Sequence, residues 1–361
     1  MSLSQAMLRW LAGAFFLGAL GAAAWRTPQP AATTFAPPPE ARLQQLPTLF
    51  LAQNLPSTDE TPRHASLTEL PDGRLAAAWL AGDDDNAGIW FSTFGRDGWR
   101  AARRIASRES TAGGTFAWSS RTARPLLHAE GSWLHLWYAS HNPLGGILLN
   151  HSQSTDGGAS WYKPSRLPTS PLAGSGGEPN GAPLLLADGG LLLPLAREFI
   201  TARGEWLRLS ATGKLIGTQR LPAAAPASIA LDAQQALAVL RDAGPDQLAS
   251  SQDGGRTWQN IATLPALAGA APLALRRLHS GKLLLAGQTP SGALTLWLSD
   301  DTGLTWRVSR TLEQSTDATA DLAEPALLQG RDARIHLLYR GPARQLRHAV
   351  FSEAWLNGGE S

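Results

Sequence analysis

Asp83, Asp84 and Asp85 stand in a row in AGDDDNAGIWFS. Clustered carboxylates repel one another's charge, which raises the pKa of one member and suits it to act as an acid near neutrality. Asp85 is the preferred member and Asp84 follows, with a solvated acidic turn as the plain alternative. GEPNGAPLLLADGGLLLPLAREFI adds Glu178, Asn180 and Glu198, and Arg197 offers Glu198 an ion pair. AEPALLQGRDARIHLLYRG adds Glu324, Tyr339 and Arg340. A carboxylate such as Glu324, working with an Asp acid, has the chemistry for double displacement at a glycosidic carbon. Arginine supplies the complement, because the planar guanidinium forms two charge-assisted hydrogen bonds with a carboxylate. Arg63, beside His64 in PRHASLTELPDGRL, and Arg241, closing LAVLR, are the leading candidates. Arg241 also has Asp242 and Asp246 within reach as simple ion-pair partners.

These groups need a scaffold, and the composition points to strands. The 361 residues include 36 glycines, 25 prolines and 14 tryptophans, and most of the chain lacks helical periodicity. With no cysteine, disulfides, thiolate metal sites and cysteine nucleophiles are excluded. Formal net charge is +2, and the basic residues form no run interleaved with aromatics, which argues against nucleic acid as a partner.

A phrase of apolar run, Asp/Gly turn and second apolar run occurs six times. The copies begin at residues 66, 125, 183, 228, 273 and 326, at spacings of roughly 45 to 60 residues that suit four-stranded propeller blades. The fold expected is all-β, a six-bladed β-propeller, with TLFLAQN returning to the last sheet as a closing strand. Two packed β-sandwiches are the alternative, but a sandwich does not require six similar units.

STDGGASW, SSQDGGRTW and SDDTGLTW share the spacing Ser-x-Asp-x-Gly-x-Ser/Thr-Trp, built on Asp156, Asp253 and Asp301. Asp accepts nearby backbone N–H groups, Gly permits positive φ, and Trp buries a large surface, so each copy reads as a locked turn. STFGRDGW at residues 92–99 breaks the spacing. A calcium loop would need more carboxylates and a terminal Glu, so no metal or other cofactor is expected. These motifs resemble the Asp-box (BNR) repeats of the bacterial sialidase (neuraminidase) superfamily, a resemblance covering roughly residues 60 to 350.

The resemblance implies a site made of an arginine cluster for the substrate carboxylate, an Asp acid/base and a Tyr nucleophile paired with Glu. It assigns Arg63 and His64 to the first blade, Arg241 to the second arginine position, and Arg340 or Arg347 to the third. Asp85 or Asp84 becomes the acid, Glu198 orients or activates the nucleophile, and Asn180 contacts substrate. The last blade departs from the pattern, because Glu324 stands where the family carries its tyrosine. Tyr339 lies a strand later and is expected to pack or to touch ligand. The expected activity is a sialidase-like exo-glycoside hydrolase acting on an acidic or modified sugar; the alternative is a non-catalytic propeller for glycan binding or polysaccharide assembly.

The N-terminus addresses the membrane. LAGAFFLGALGAAAW follows Arg9, with Trp10 and Trp25 at its flanks and Ala22-Ala23-Ala24 suited to signal peptidase. The organisation expected is a hydrophobic helix serving as signal peptide or anchor at 1–26, a Pro/Ala-rich extended linker at 27–44, and the propeller at 45–358. The protein would then sit in the bacterial inner membrane facing the periplasm, or be periplasmic or secreted if cleaved.

Overall fold

The computed structural model describes residues 7, 9–15, 17–18, 33–37, 46–56, 61–83, 86–169, 176–198, 202–242, 244–268, 271–314 and 323–358. The chain divides into two units, residues 1–33 and 34–361. In the first, the described residues between 7 and 18 are helical and exposed, and most of the expected 1–26 segment lies outside the described residues. No helix among the described residues is long and apolar enough to cross a membrane.

The second unit consists of six antiparallel sheets in chain order, a six-bladed propeller. Blades I to V cover residues 62–106, 121–167, 178–220, 224–263 and 273–314. Blade VI takes residues 323–351 and is completed by Phe50–Asn54, which pairs along Leu346–Phe351 with Phe50 opposite Phe351. The ends of the ring are thus joined by backbone hydrogen bonds rather than by a covalent link.

Burial explains why these residues become these strands. The second strands Leu75–Ala81, Leu283–Gln288 and Ile335–Arg340 are buried at every position, because each sheet has a neighbour on both faces, and they are correspondingly rich in apolar residues. The outer strand Leu215–Arg220 alternates between exposed and half-buried positions. The core is divided into six hydrophobic clusters, one between each pair of neighbouring blades.

The three Asp boxes close the turns between third and fourth strands of blades II, IV and V. In each, Asp Oδ1 accepts the backbone N–H of the Ser or Thr four residues on, and Oδ2 accepts its hydroxyl. The leading Ser donates to Asp and accepts the N–H of the second-position glycine at 2.8 Å. Gly158, Gly255 and Gly303 have φ of 90°, 84° and 93°, and a Cβ on them would overlap Phe91, Trp206 and Leu248 of the preceding blade. Each box therefore locks its turn and fits it against the next sheet.

The innermost strands present an unpaired backbone edge to the central channel, and side chains of adjoining blades satisfy part of it. Ser66 and Thr68 of blade I accept the N–H groups of Leu127 and Ala129, and Gln329 of blade VI accepts that of His279. Four residues of the stretch expected as an extended linker also belong to this unit. Phe35 donates its N–H to Ala233 O, Ala36 donates to Leu185 O, and Ala187 donates to Thr34 O. Phe35 is fully buried and meets Trp206 edge-on, 6.2 Å between ring centres. One aromatic among the prolines and alanines is enough to dock the segment between blades III and IV.

Candidate active site

The charged mouth lies where the inner strands begin and the second strands end, opposite the inner hairpins. Four inner strands slip register here, at Arg63/Ser66, Ala123/Leu126, Ala224/Ala227 and Ala323/Ala326. In three of them the bulged residue is non-glycine and left-handed: His64 at φ 52°, Arg124 at 43° and Glu324 at 48°. Pro125 and Pro325 follow two of these and cannot donate to a ladder, which favours the bulge locally. Non-glycine residues held at positive φ carry conformational strain and concentrate at functional sites.

The bulges bring distant charges together. The backbone N–H of His64 donates to Glu324 Oε2, and His64 Nδ1 lies 3.3 Å from Glu324 Oε1. Arg124 Nε donates to Glu178 Oε2 at 2.6 Å, and His141 Nε2 lies 2.7 Å from Glu178 Oε1. Burial alone would raise Glu178, but the hydrogen bond from His141 and the charge of Arg124 outweigh it and hold its pKa at about 2. Burial, reinforced by the charges of Arg124, Arg63 and Arg340 against the pull of Glu178, lowers His64 to about 3. At neutral pH the mouth therefore presents an ionised Glu178 and a neutral His64.

Of the residues expected from sequence, His64, Asn180, Arg241 and Glu324 line the central channel, whose volume is about 1450 Å³. Arg63 donates from Nη2 to Gly82 O at 3.4 Å, which sets it at the start of the loop bearing the aspartates. Asp83 is exposed, and Asp84 and Asp85 lie outside the described residues. Glu198 ends the strand Leu191–Glu198, opposite Ala202, while Arg197 pairs with Glu205 on the facing strand. Arg241 and Arg340 occupy equivalent positions, opposite the first residues of their inner strands. Arg241 makes a two-point ion pair with Asp246, at 2.9 and 2.6 Å.

Tyr339 and Arg347 are placed elsewhere. Tyr339 is fully buried in the core between blades V and VI, and its hydroxyl donates to Glu313 Oε1 at 2.9 Å. Arg347 shares that Glu313 oxygen. Burial first, and Glu313 beside it, push the Tyr339 phenol well above its ordinary pKa. Arg124 and His141 were not singled out from the sequence. A signal for Arg124 existed in Ala-Arg-Pro at 123–125, which matches Ala-Glu-Pro at 323–325; His141, the last residue of a strand, carried none. No group of three His, Cys, Asp or Glu among the described residues could hold a metal ion.

Solved structures that superpose on this chain include sialidases. The Hadza microbial sialidase Hz136 superposes with a TM-score of 0.65 at 16% identity, over 81% of this chain and 66% of that one. Trypanosoma rangeli sialidase in complex with the inhibitor DANA gives 0.60 at 14%, over 82% and 57%. A Dyadobacter fermentans protein described as of unknown function gives 0.60 at 16%, over 83% and 99%. The chain thus spans about two thirds or less of the length of these two sialidases. At such identities the likeness establishes the fold, a sialidase-like propeller, and not the activity. Residues 73–337 match the BNR repeat-like domain, and the chain belongs to that family within the sialidase/BNR-repeat superfamily. No curated protein matches it.

Proposed function

We propose that the propeller recognises a terminal acidic sugar of an envelope or extracellular glycan and hydrolyses its glycosidic bond, as a sialidase-like exo-glycosidase. The observation that carries this reading is the meeting of His64, Arg124 and Glu324, each on a strained bulge, with Glu178 at one mouth, and with Arg63 and Arg340 close enough to act on His64. Arg63, Arg124, Arg241 and Arg340 hold the sugar carboxylate. A Glu324 oxygen attacks the anomeric carbon as the bond to the leaving oxygen breaks, and an Asp of the 83–85 loop gives that oxygen its proton. Water, deprotonated by the same Asp, then cleaves the sugar from Glu324. The apolar stretch behind Arg9 supports a place at the bacterial inner membrane facing the periplasm, or export if it is cleaved.

One observation favours a second reading, a glycan-binding or polysaccharide-assembly propeller without catalysis. Glu324 is buried and clasps the backbone of His64 in the next blade, much as Ser66 and Thr68 clasp Leu127 and Ala129. Fluorogenic glycosides of sialic, other nonulosonic and uronic acids separate the two. Hydrolysis of one acidic glycoside, lowered at least about a hundredfold by Glu324→Gln, is expected. Saturable binding without turnover supports the second reading, and neither binding nor turnover overturns both.

A further inference from the structure

The half of the channel nearest the inner hairpins is a separate place from the charged mouth. Counting back from the hairpins, Thr68, His128, Leu184, Ile229, Arg276 and Leu328 occupy one level of the ring, opposite Ala76, His135, Leu192, Leu237, Leu284 and His336. Three of the six are aliphatic. Thr68 is already engaged with the Ala129 N–H. Arg276 of blade V and His128 of blade II line the channel, and these two blades stand across the ring from each other.

Arg276 makes no ion pair with a carboxylate of the described residues, although protein encloses it and only the channel admits water to it. Burial lowers even its guanidinium below the ordinary arginine value. Among the described residues the one carboxylate lining this end, Glu69, is taken by Arg331, whose Nε lies 3.1 Å away and whose backbone N–H donates at 3.0 Å. Arg277 adds a further cation to the same wall. His128 is half-buried, burial keeps it neutral, and its Nε2, sealed from solvent, has no hydrogen-bond partner among the described residues. An enclosed guanidinium with no counter-charge, next to a second arginine on the channel wall, is an arrangement that an anion completes.

We infer that Arg276 anchors a small oxyanion, a carboxylate or phosphate group, inside the hairpin half of the channel, with Arg277 as the neighbouring cation. A planar guanidinium favours two-oxygen contacts, which selects oxyanions over halides. The bound anion supplies the counter-charge that Arg276 lacks, so it stabilises the folded ring and is independent of any chemistry at the mouth.

The experiment is thermal melting of the full chain at pH 7 in sodium phosphate, against sodium chloride at equal ionic strength. A saturable phosphate-specific rise of about 3–5 °C is expected at concentrations about a hundredfold above the dissociation constant. Arg276→Met, which keeps the aliphatic stem, loses that rise, and Arg124→Ala at the mouth retains it. If Arg276→Met does not fold, Arg276→Lys provides the same readout with a reduced rise. An unchanged phosphate response in either Arg276 variant overturns the inference, as does a response that Arg124→Ala abolishes.

Discussion

The two ends of the propeller use carboxylates in opposite ways. At the boxes, Asp156, Asp253 and Asp301 find every partner within four residues, and glycine supplies every positive φ except that of Thr302. At the mouth, Glu178 reaches Arg124, 54 residues away, and Glu324 reaches His64, 260 residues away, while His64, Arg124 and Glu324 themselves take the left-handed backbone. The boxes are closed, self-sufficient turns that would form wherever the sheet places them. The mouth exists only when the ring is complete, and its strain is held by contacts among several blades. An acidic residue in a tight local motif is thus a lock, and one whose partners arrive from other blades is the candidate for chemistry.

The largest effect should come from breaking a lock. Gly303→Val puts a branched side chain at φ 93° and drives its Cβ into Leu248, so overpacking and backbone strain add. We expect a loss of about 3–5 kcal/mol, read as a fall in denaturation midpoint. Ligand affinity of the folded fraction at the mouth should be unchanged; a matching fall in affinity would show that the two ends are not separate.

Acid should act next, and on neither set of carboxylates first. Hydrogen bonds from Ser160 and Thr257 hold Asp156 and Asp253 at about 2, close to Glu178, so their contribution is lost only below their unfolded values near 4. Histidines give way earlier. His348 accepts a hydrogen bond from Trp99 Nε1 at 3.2 Å, and its other ring nitrogen lies 3.0 Å from His336 Nδ1, so neither ring has room for an added proton. Burial lowers His336 to about 4 and His348 to about 3. Below pH 6.5 the unfolded rings bind protons and the folded ones do not, so stability falls as pH drops from 6.5 toward 4, by about 2–4 kcal/mol for the pair. Urea midpoints measured across this range check the slope, and His336→Gln should flatten it. A flat wild-type profile down to pH 4.5 would contradict the assignment.

This contrast also explains what could be read from the residues alone. The hairpins, the boxes and the closing strand rest on local spacing and apolar runs, and six repeats with three boxes fix a propeller. His64 and Glu324 were legible as candidates, but their contact was not, since no spacing relates positions 260 residues apart. Tyr339 illustrates the same limit. Its side chain turns into the interface between blades V and VI, a direction set by strand alternation and register rather than by residue type. Phe35 was hidden by its prolines, because composition describes a segment's average and one buried ring suffices to dock it.

Within the mouth, Arg124→Ala tests whether the long-range partners matter for function. It leaves Glu178 with His141 alone, in a partly solvated position, so the stability loss should be about 1–2 kcal/mol. Affinity for an acidic glycoside should drop about tenfold or more, because a charge-assisted contact is removed. Titration calorimetry on the folded variant measures it. Equal affinity would remove Arg124 from the proposed site while leaving the fold argument intact.

The smallest effect is expected at Asp253, despite its conspicuous motif. Asp253→Ala removes bonds to Ser251 and Thr257; those to Thr257 are exposed, where water replaces them, and only the one from buried Ser251 is partly shielded. Gly255 keeps its fit against Trp206, and Trp258 still donates from Nε1 to Gly255 O at 2.9 Å. A loss of about 0.5–1 kcal/mol follows from the local bonds alone, comparable to removing a helix cap. Catalysis or binding at the mouth should not change at all. A box variant that impaired ligand binding while melting normally would mean the boxes communicate with the mouth, and the division between lock and site would have to be redrawn.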